Sequence, residues 1–464
     1  MTRKSQQREQ WIEEEIGRTD LGDKRRTKRL EQIVGNLSAN PESSVPMASG
    51  TWAETKATYD FWDSPYLEPA MVLAGHIEST VERMRKHQVV LAVQDTTELN
   101  YTSHKALSGV GYLDNKHTRG LKVHSTLSVS PEGVPLGVIG QDVWARESEQ
   151  QGKAQARKQR TTAEKESQKW LDALRETEAI IPETIRVVTI ADREADVYDF
   201  LAYPRRGSSE FLIRATQDRC LSENLGHLRP CIESQECKGI MRVELQRHPQ
   251  RPARIATLEL RYTTVTIAPP QNRPKKEQLV PITLQAILVR EIDPPPEAEA
   301  IEWLLLTTLK IDSLQDLQTY VRWYSFRWLI ERYHYVLKSG CQMERLQLQT
   351  AARLEMALAT YAIVAWRLLW VTYLARSSPD SSCEQFLEPH QWQILYTKLY
   401  GKIYPHATPP TLAEVVGWIA RLGGFLGRKG DGQPGVKVLW RGLRRLDELV
   451  ETWLLFQSLS LDPL

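Results

Sequence analysis

At 464 residues the chain is too long for one hydrophobic core, so two or three domains are expected. Its 41% hydrophobic and 25% charged content is that of an ordinary soluble globular protein. The net charge is only +2, so any affinity for nucleic acid must come from how charge is distributed rather than from its sum. The five cysteines form no CxxC pair, which argues against a disulfide framework or a zinc knuckle and suits a reducing cytosol. The opening MTRKSQQREQWIEEE has no apolar run and does not read as a signal peptide. Met356 to Leu374 is apolar enough to suggest a membrane span. Arg367 at its centre, with no flanking charge asymmetry, makes it a buried core helix instead.

In chain order, residues 1–70 read as all-helical. Trp11 opens one amphipathic segment, and LGDKRRTKRLEQIV follows with Asp23 as its N-cap. Lys24, Arg25, Arg26, Lys28 and Arg29 fall within six positions. Cations that dense repel one another unless an anion compensates them. A phosphate backbone would do so, and a solvated basic face is the alternative. ETKATYDFWDSPYL closes the region with aromatics.

From His87 the pattern turns strand-like: HQVVLAVQDTTELNY carries an apolar run ending in Asp95. LKVHSTLSV and VPLGVIGQDVWAR follow, separated by the turn Pro131-Glu132-Gly133. Residues 147–160, charged and Gln-rich, read as a mobile loop. EKESQKWLDAL restarts a helix; a second buried run, Ile185 to Ala191, ends in Asp192, and EFLIRA ends a third at Arg214. Strands alternating with helices after an initial meander indicate a mixed α/β sheet. From about 220 to 302, ARIATLELRYTTVTI and LVPITLQAILVREI alternate as antiparallel strands joined by PPQNRPKKEQ, a β insertion that ends at Asp293-Pro-Pro-Pro. IEWLLLTTL then returns to the core.

Ser313 to Gly340 reads as one long helix with a Ser-x-x-Asp cap at its start and Ser-Gly at its end. Tyr324, Arg327, Glu331 and Lys338 then fall within an arc of roughly 60°. The helix face carries a phenol, a guanidinium, a carboxylate and an ammonium, flanked by Trp328 and Tyr335. A half-buried aromatic helix with exposed ion pairs is the plain alternative. TAARLEMALATYAIVAWRLLWVTYLAR is a further core helix, and a helical region follows from about Glu384. Within that region ARLGGFLGRKGDGQPG is a glycine-rich turn. It follows no strand and lacks a Lys-Ser ending, so a P-loop is not expected.

Asp95 and Asp192, each expected at the tip of a buried strand, and Glu331 make three carboxylates with no thiol or paired-histidine alternative. Such hard oxygen ligands select magnesium or manganese. Two such ions about 3.5–4 Å apart can activate an attacking oxygen and stabilise the leaving oxygen of a phosphodiester. Helix capping remains open for Asp192, and a turn role for Asp95.

The spacing Tyr324-x2-Arg327-x3-Glu331-x6-Lys338 resembles the signature of the IS-four family of DNA transposases, and of its Tn-five type in particular. VQDTT and DREAD are similar to the places where that family holds its two aspartates. LGDKRRTKR, IEWLLLT and IARLGGF resemble its DNA-binding helix, later core strand and dimerisation region. The likeness runs from about Trp11 to Trp453.

The resemblance implies an α/β fold with a ribonuclease-H-like core over residues 71–375, carrying the β insertion. A helical DNA-binding domain (1–70) would precede it and a helical dimerisation domain (376–464) would follow. It implies a DDE transposase of cut-and-paste type, acting as a homodimer on double-stranded DNA in the bacterial cytoplasm, with no membrane partner. Asp95, Asp192 and Glu331 would be catalytic and bind two Mg2+ or Mn2+ ions. Cleavage would proceed by hydrolysis and hairpin formation, before transfer of the 3′-hydroxyl ends to target DNA. Tyr324, Arg327 and Lys338 match positions that hold DNA phosphates. Trp303 and Trp328 match aromatic positions associated with a flipped base, core packing being the alternative for both. Arg25, Arg26, Arg29, Arg193, Arg214 and Arg345 are expected DNA contacts on charge and position. His124 is given no chemistry. An inactive DNA-binding derivative and a simple metal-dependent nuclease are the competing readings.

Overall fold

The computed structural model describes residues 10–147, 165–245, 254–271, 279–428 and 431–460. Most of the expected mobile loop at 147–160, and of the PPQNRPKKEQ connection, lies outside them.

Five helices open the chain: α1 (Gln10–Ile16), α2 (Lys24–Ala39), α3 (Val45–Ser49), α4 (Trp52–Trp62) and α5 (Pro69–Met84). The Asp23 side chain caps α2 by accepting from the Arg25 N–H, as expected, and Thr51 caps α4 from Glu54. Leu30, Ile33, Val34 and Leu37 recur at three- and four-residue steps and bury one face of α2, which leaves the basic positions on the other.

A buried ionic cluster fastens α1 to α5 and both to the sheet. His76 Nε2 accepts from the Val138 N–H at 3.0 Å, so its Nδ1 carries the proton and donates to Glu15 Oε2 at 2.6 Å. Arg83 donates to both Glu15 oxygens (2.5 and 3.2 Å) and, through Nε, to the Leu136 carbonyl at 2.6 Å. Burial alone would push the Glu15 carboxyl up, but His76 and Arg83 together hold it below its ordinary value. Burial holds His76 below its own ordinary value, and the imidazole stays neutral.

The strands are β1 (Val89–Asn100), β2 (Gly111–Tyr112), β3 (Arg119–Val129), β4 (Pro135–Trp144), β5 (Arg186–Ala191) and β6 (Ser209–Arg214). They continue with β7 (Gly239–Leu245), β8 (Arg254–Ile267), β9 (Ile282–Ile292) and β10 (Glu302–Thr307). Between them lie α6 (Gln168–Ile180), α7 (Tyr198–Ala202) and α8 (Leu228–Glu233). All ten strands share one sheet in the order β2-β3-β1-β5-β6-β10-β9-β8-β7, with β4 also paired to β3. β1, β5 and β6 run parallel and every other pairing is antiparallel. The expected β insertion therefore does not stand apart. β7, β8 and β9 extend the core sheet through β10 by continuous backbone ladders.

The segment expected as one uninterrupted helix is three pieces: α9 (Leu314–Ser325), α10 (Trp328–Tyr335) and a π-turn over Val336–Gly340. Ser313 caps the start, and Asp316 accepts from Ser313 Oγ at 2.8 Å. Around Phe326-Arg327 the N–H groups of Phe326, Arg327, Leu329 and Ile330 bond three residues back, which overwinds the chain. At the far end the Cys341 N–H bonds five back to Val336, which underwinds it. A uniform 100° step does not hold between Tyr324 and Lys338, so the four-residue stripe is not a straight row.

The rest is helical: α11 (Ala351–Ser377), α12 (Pro389–Tyr400), α13 (Leu412–Leu422) and α14 (Val436–Ser460). α11 is long and apolar enough to cross a membrane, but 83% of its most apolar window is buried within the protein. The glycines after α13 serve a close crossing. A Cβ on Gly423 would collide with the Val438 carbonyl, and one on Gly442 with the Ile419 carbonyl. Gly442→Val is expected to destabilise the C-terminal helices by about 1–3 kcal/mol, read by thermal melting.

Candidate active site

β1 pairs in parallel with β5 as far as Val93, opposite Ile190. Continuing that register by two residues brings Asp95 level with Asp192, which lies one residue past the end of β5. β5 pairs with β6 up to Ala191 opposite Ile213, so Arg214 stands level with Asp192 in turn. Asp95, Asp192 and Arg214 thus form a row where three parallel strands end their pairing, the crevice in which open α/β sheets hold ligands. Asp95 is not at a strand tip as expected. It is the seventh residue of a twelve-residue strand, which continues against β3 to Asn100 after β5 has turned away. No turn forms at Thr96-Thr97. Asp192 is at its strand's end, where its Oδ1 accepts from the Glu194 N–H at 2.8 Å and caps the 3-10 turn Arg193–Ala195. The last aspartate of DREAD is structural: Asp196 is buried and accepts from the N–H groups of Thr216 and Gln217 and from Arg219.

Glu331 comes from α10. Its Oε1 pairs with Arg327 Nη1 at 2.7 Å, and the carboxylate is 43% exposed. Burial works against the Arg327 guanidinium, and its neighbours Tyr324, Glu331 and Asp95 outweigh that and hold it above its ordinary value. Burial, reinforced by the Asp192 charge, pushes the Asp95 carboxyl up to about 7. The Thr96 N–H and Arg327 work against that shift, and Glu331 adds to it. Burial likewise pushes the Tyr324 phenol up to about 12, so it stays protonated next to Arg327. Among the described residues no group of three or more His, Cys, Asp or Glu side chains is gathered closely enough to hold a metal ion. The donor set still suits a hard divalent cation. Asp95, buried on β1 within reach of the Asp192 charge, and Glu331, paired with the arginine that also acts on Asp95, supply hard carboxylate oxygens.

The comparisons with known proteins fall on this arrangement. Residues 92–367 match the family described as transposase DDE domain. That is more than half of the chain. The protein belongs to the DDE transposases. Residues 8–67 match the transposase DNA-binding family and 363–461 the transposase Tn5 dimerisation domain, so this transposase carries a DNA-binding region and a dimer-forming region around its core.

The transposase gathers only some of the expected residues. Trp303, on β10, is buried with its ring edge-on to Tyr324 at 5.2 Å, next to the Arg327–Glu331 pair. Trp328 is 44% exposed, with the Arg327 guanidinium 5.6 Å from its ring centre. Arg193 is exposed on the turn after Asp192, and Arg214 donates to the Glu302 carbonyl at 2.9 Å. Lys338 lies further along β1, where its Nζ donates to the Glu98 carbonyl at 2.8 Å and lies 3.6 Å from Glu344. Arg345 is exposed on the next turn. Arg25, Arg26 and Arg29 are all on α2. Arg25 is almost fully exposed, Arg26 lies over the Tyr66 ring, and Arg29 donates to Gln32.

Two histidines border Asp95: His124, assigned no chemistry from the sequence, and His334, which sequence reasoning passed over. His124 Nδ1 is 2.9 Å from Thr96 Oγ1, and Thr96 N–H donates to Asp95 Oδ1 at 2.8 Å. His334 Nε2 is 3.2 Å from Ser125 Oγ and its Nδ1 is 3.9 Å from Asp95 Oδ2. The available signal for His334 was its place three residues after Glu331.

Proposed function

We propose that the protein is a cut-and-paste transposase that binds the ends of a DNA element and severs them by metal-dependent hydrolysis. It then forms hairpins and joins the freed 3′-hydroxyl ends to target DNA. The closeness of Asp95 to the charges of Asp192, Arg327 and Glu331, the last two an ion pair on the facing helix, is the observation that supports this reading. Asp95, Asp192 and Glu331 would hold magnesium or manganese. When bound, such a pair of ions supplies an activated attacking oxygen and stabilises the leaving oxygen of the phosphodiester.

The chain's own side chains do the rest. Arg327, Tyr324 and Lys338 would hold phosphates near the scissile bond, with Arg327 releasing part of its charge from Glu331 as DNA arrives. Trp328, half-exposed beside Arg327, offers a face on which an extruded base could stack, and Trp303 supports the same region from behind. Arg193, Arg214 and Arg345 add positive charge around the crevice, and α2 presents Arg25, Arg26 and Arg29 to the backbone of the element end. Two copies, associated through the C-terminal helices, would bridge two ends.

Incubating the protein with end-containing DNA and magnesium, then running a denaturing gel, tests this reading. Hairpinned ends are the expected product. Nicked linear products alone would leave a nuclease, and binding without cleavage an inactive derivative. The α2 contact is tested separately: Arg25→Glu is expected to weaken binding across all sequences and to lower the slope of log affinity against log salt by about 1, measured by fluorescence anisotropy.

A further inference from the structure

We propose that His334 and Ser125 position the Asp95 carboxylate against the helix that carries Glu331, which makes His334 a positioning residue of the metal site. The inference rests on Asp95 and Glu331 being metal ligands, the reading given above.

His334 follows Glu331 by three residues, so the two side chains are neighbours on α10. They differ in surroundings: Glu331 is turned outward to Arg327, whereas His334 is 4% exposed. Its Nε2 is within hydrogen-bond distance of Ser125 Oγ, and Ser125 is the β3 residue directly opposite Asp95. One imidazole therefore fastens the helix to β3 at the level of the first aspartate on β1. A buried imidazole is neutral and has one N–H. If the Ser125 hydroxyl donates to Nε2, that proton belongs on Nδ1, which lies 3.9 Å from Asp95 Oδ2. The gap is longer than a hydrogen bond, and a small turn of either side chain would close it. Asp95 Oδ1 already accepts the Thr96 N–H, so the remaining freedom of the carboxylate is in where Oδ2 points, and His334 faces that oxygen. A leucine would fill the same space without the cost of desolvating two nitrogens, which gives the imidazole a reason to be there only if its nitrogens are used. Outer partners of this kind orient metal-binding carboxylates in proteins generally.

The test is a titration of the full-length protein with Mn2+ alone, followed by electron paramagnetic resonance, alongside thermal melting and binding of end DNA. His334→Ala is expected to weaken Mn2+ binding about 10- to 100-fold while end DNA still binds. His334→Asn, which returns an N–H donor near the Nδ1 position, should recover most of that loss. Ser125→Ala should weaken Mn2+ binding in the same direction, and adding it to His334→Ala should cost nothing further. A His334→Ala protein that melts like the parent and binds Mn2+ with unchanged affinity overturns the proposal, as does failure of the asparagine to rescue. Should His334→Ala not fold, Ser125→Ala decides: unchanged Mn2+ affinity there overturns it equally. Asp95→Ala separates the two readings. If Asp95→Ala itself keeps full Mn2+ affinity, the metal assignment falls. If it loses affinity and His334→Ala does not, only the positioning role falls.

Discussion

The Asp95→Ala protein is expected to bind end-containing DNA and leave it uncut, with cleavage reduced on the order of 10³-fold or more. Asp95 has the most confined surroundings of the three carboxylates. It lies at the fork where β1 leaves β5, with Asp192 level beside it and Arg327 reaching towards it from the facing helix. Removing it takes away one wall of the crevice without disturbing α2, so the loss should fall on cleavage and spare recognition. The same split is expected of Asp192→Ala and Glu331→Ala. Asp192→Ala also removes the cap of the Arg193–Ala195 turn, so a small loss of thermal stability should accompany it, about 1 kcal/mol. A gel-shift assay paired with a denaturing cleavage gel reads both quantities. Metal-dependent cleavage that persists in any one variant takes that residue out of the site.

The second large effect is on stability. Glu15→Ala is expected to destabilise the protein by roughly 3–5 kcal/mol, measured by urea unfolding at neutral pH. The substitution removes the partner of two buried groups at once. Arg83 keeps its bond to the Leu136 carbonyl but loses its counter-charge, and His76 Nδ1–H is left with no acceptor. The folded-state value of Glu15 is held below 4.5, so its contribution is fully present above about pH 4.5 and is lost as the pH falls through the lowered value. His76 works in the same direction. Its folded-state value lies below 6.5, and burial of the neutral ring costs stability progressively as acid favours the charged, unfolded form. Because the His76 penalty is present in both proteins, it is the loss of the Glu15 contribution that should narrow the gap between the parent and Glu15→Ala in acid. A penalty that stays constant down to pH 3 would show that packing, not the ion pair, is what was lost.

Local chemistry made much of this legible in the sequence. Apolar β-branched runs ending in acids located β1 and β5, Asp23 and Ser313 marked real helix starts, and Arg367 correctly kept α11 out of a membrane reading. What escaped was set by distant parts of the chain. The length of β1 depends on β3 staying paired after β5 departs, and LNY carries no sign of that. The overwound stretch at Phe326 has no glycine or proline to announce it. The Phe326 ring lies against Gly133 of the β3–β4 turn, a close approach that no spacing within the helix encodes. The insertion read correctly as antiparallel strands, but its fusion to the core sheet is a matter of β9 meeting β10, which alternation alone does not specify. His334 was visible as a histidine near the glutamate; its partner Ser125 is 209 positions earlier in the chain.

Because β7 through β10 and β6 are neighbours in one sheet, the outer rim of the insertion and the crevice share one continuous set of backbone ladders. A push on the far edge travels through backbone bonds across β8, β9 and β10 to β6, and so to the strand that ends in Arg214 beside Asp192. Whatever rests on that rim thus rests on the same sheet that holds the reacting centre.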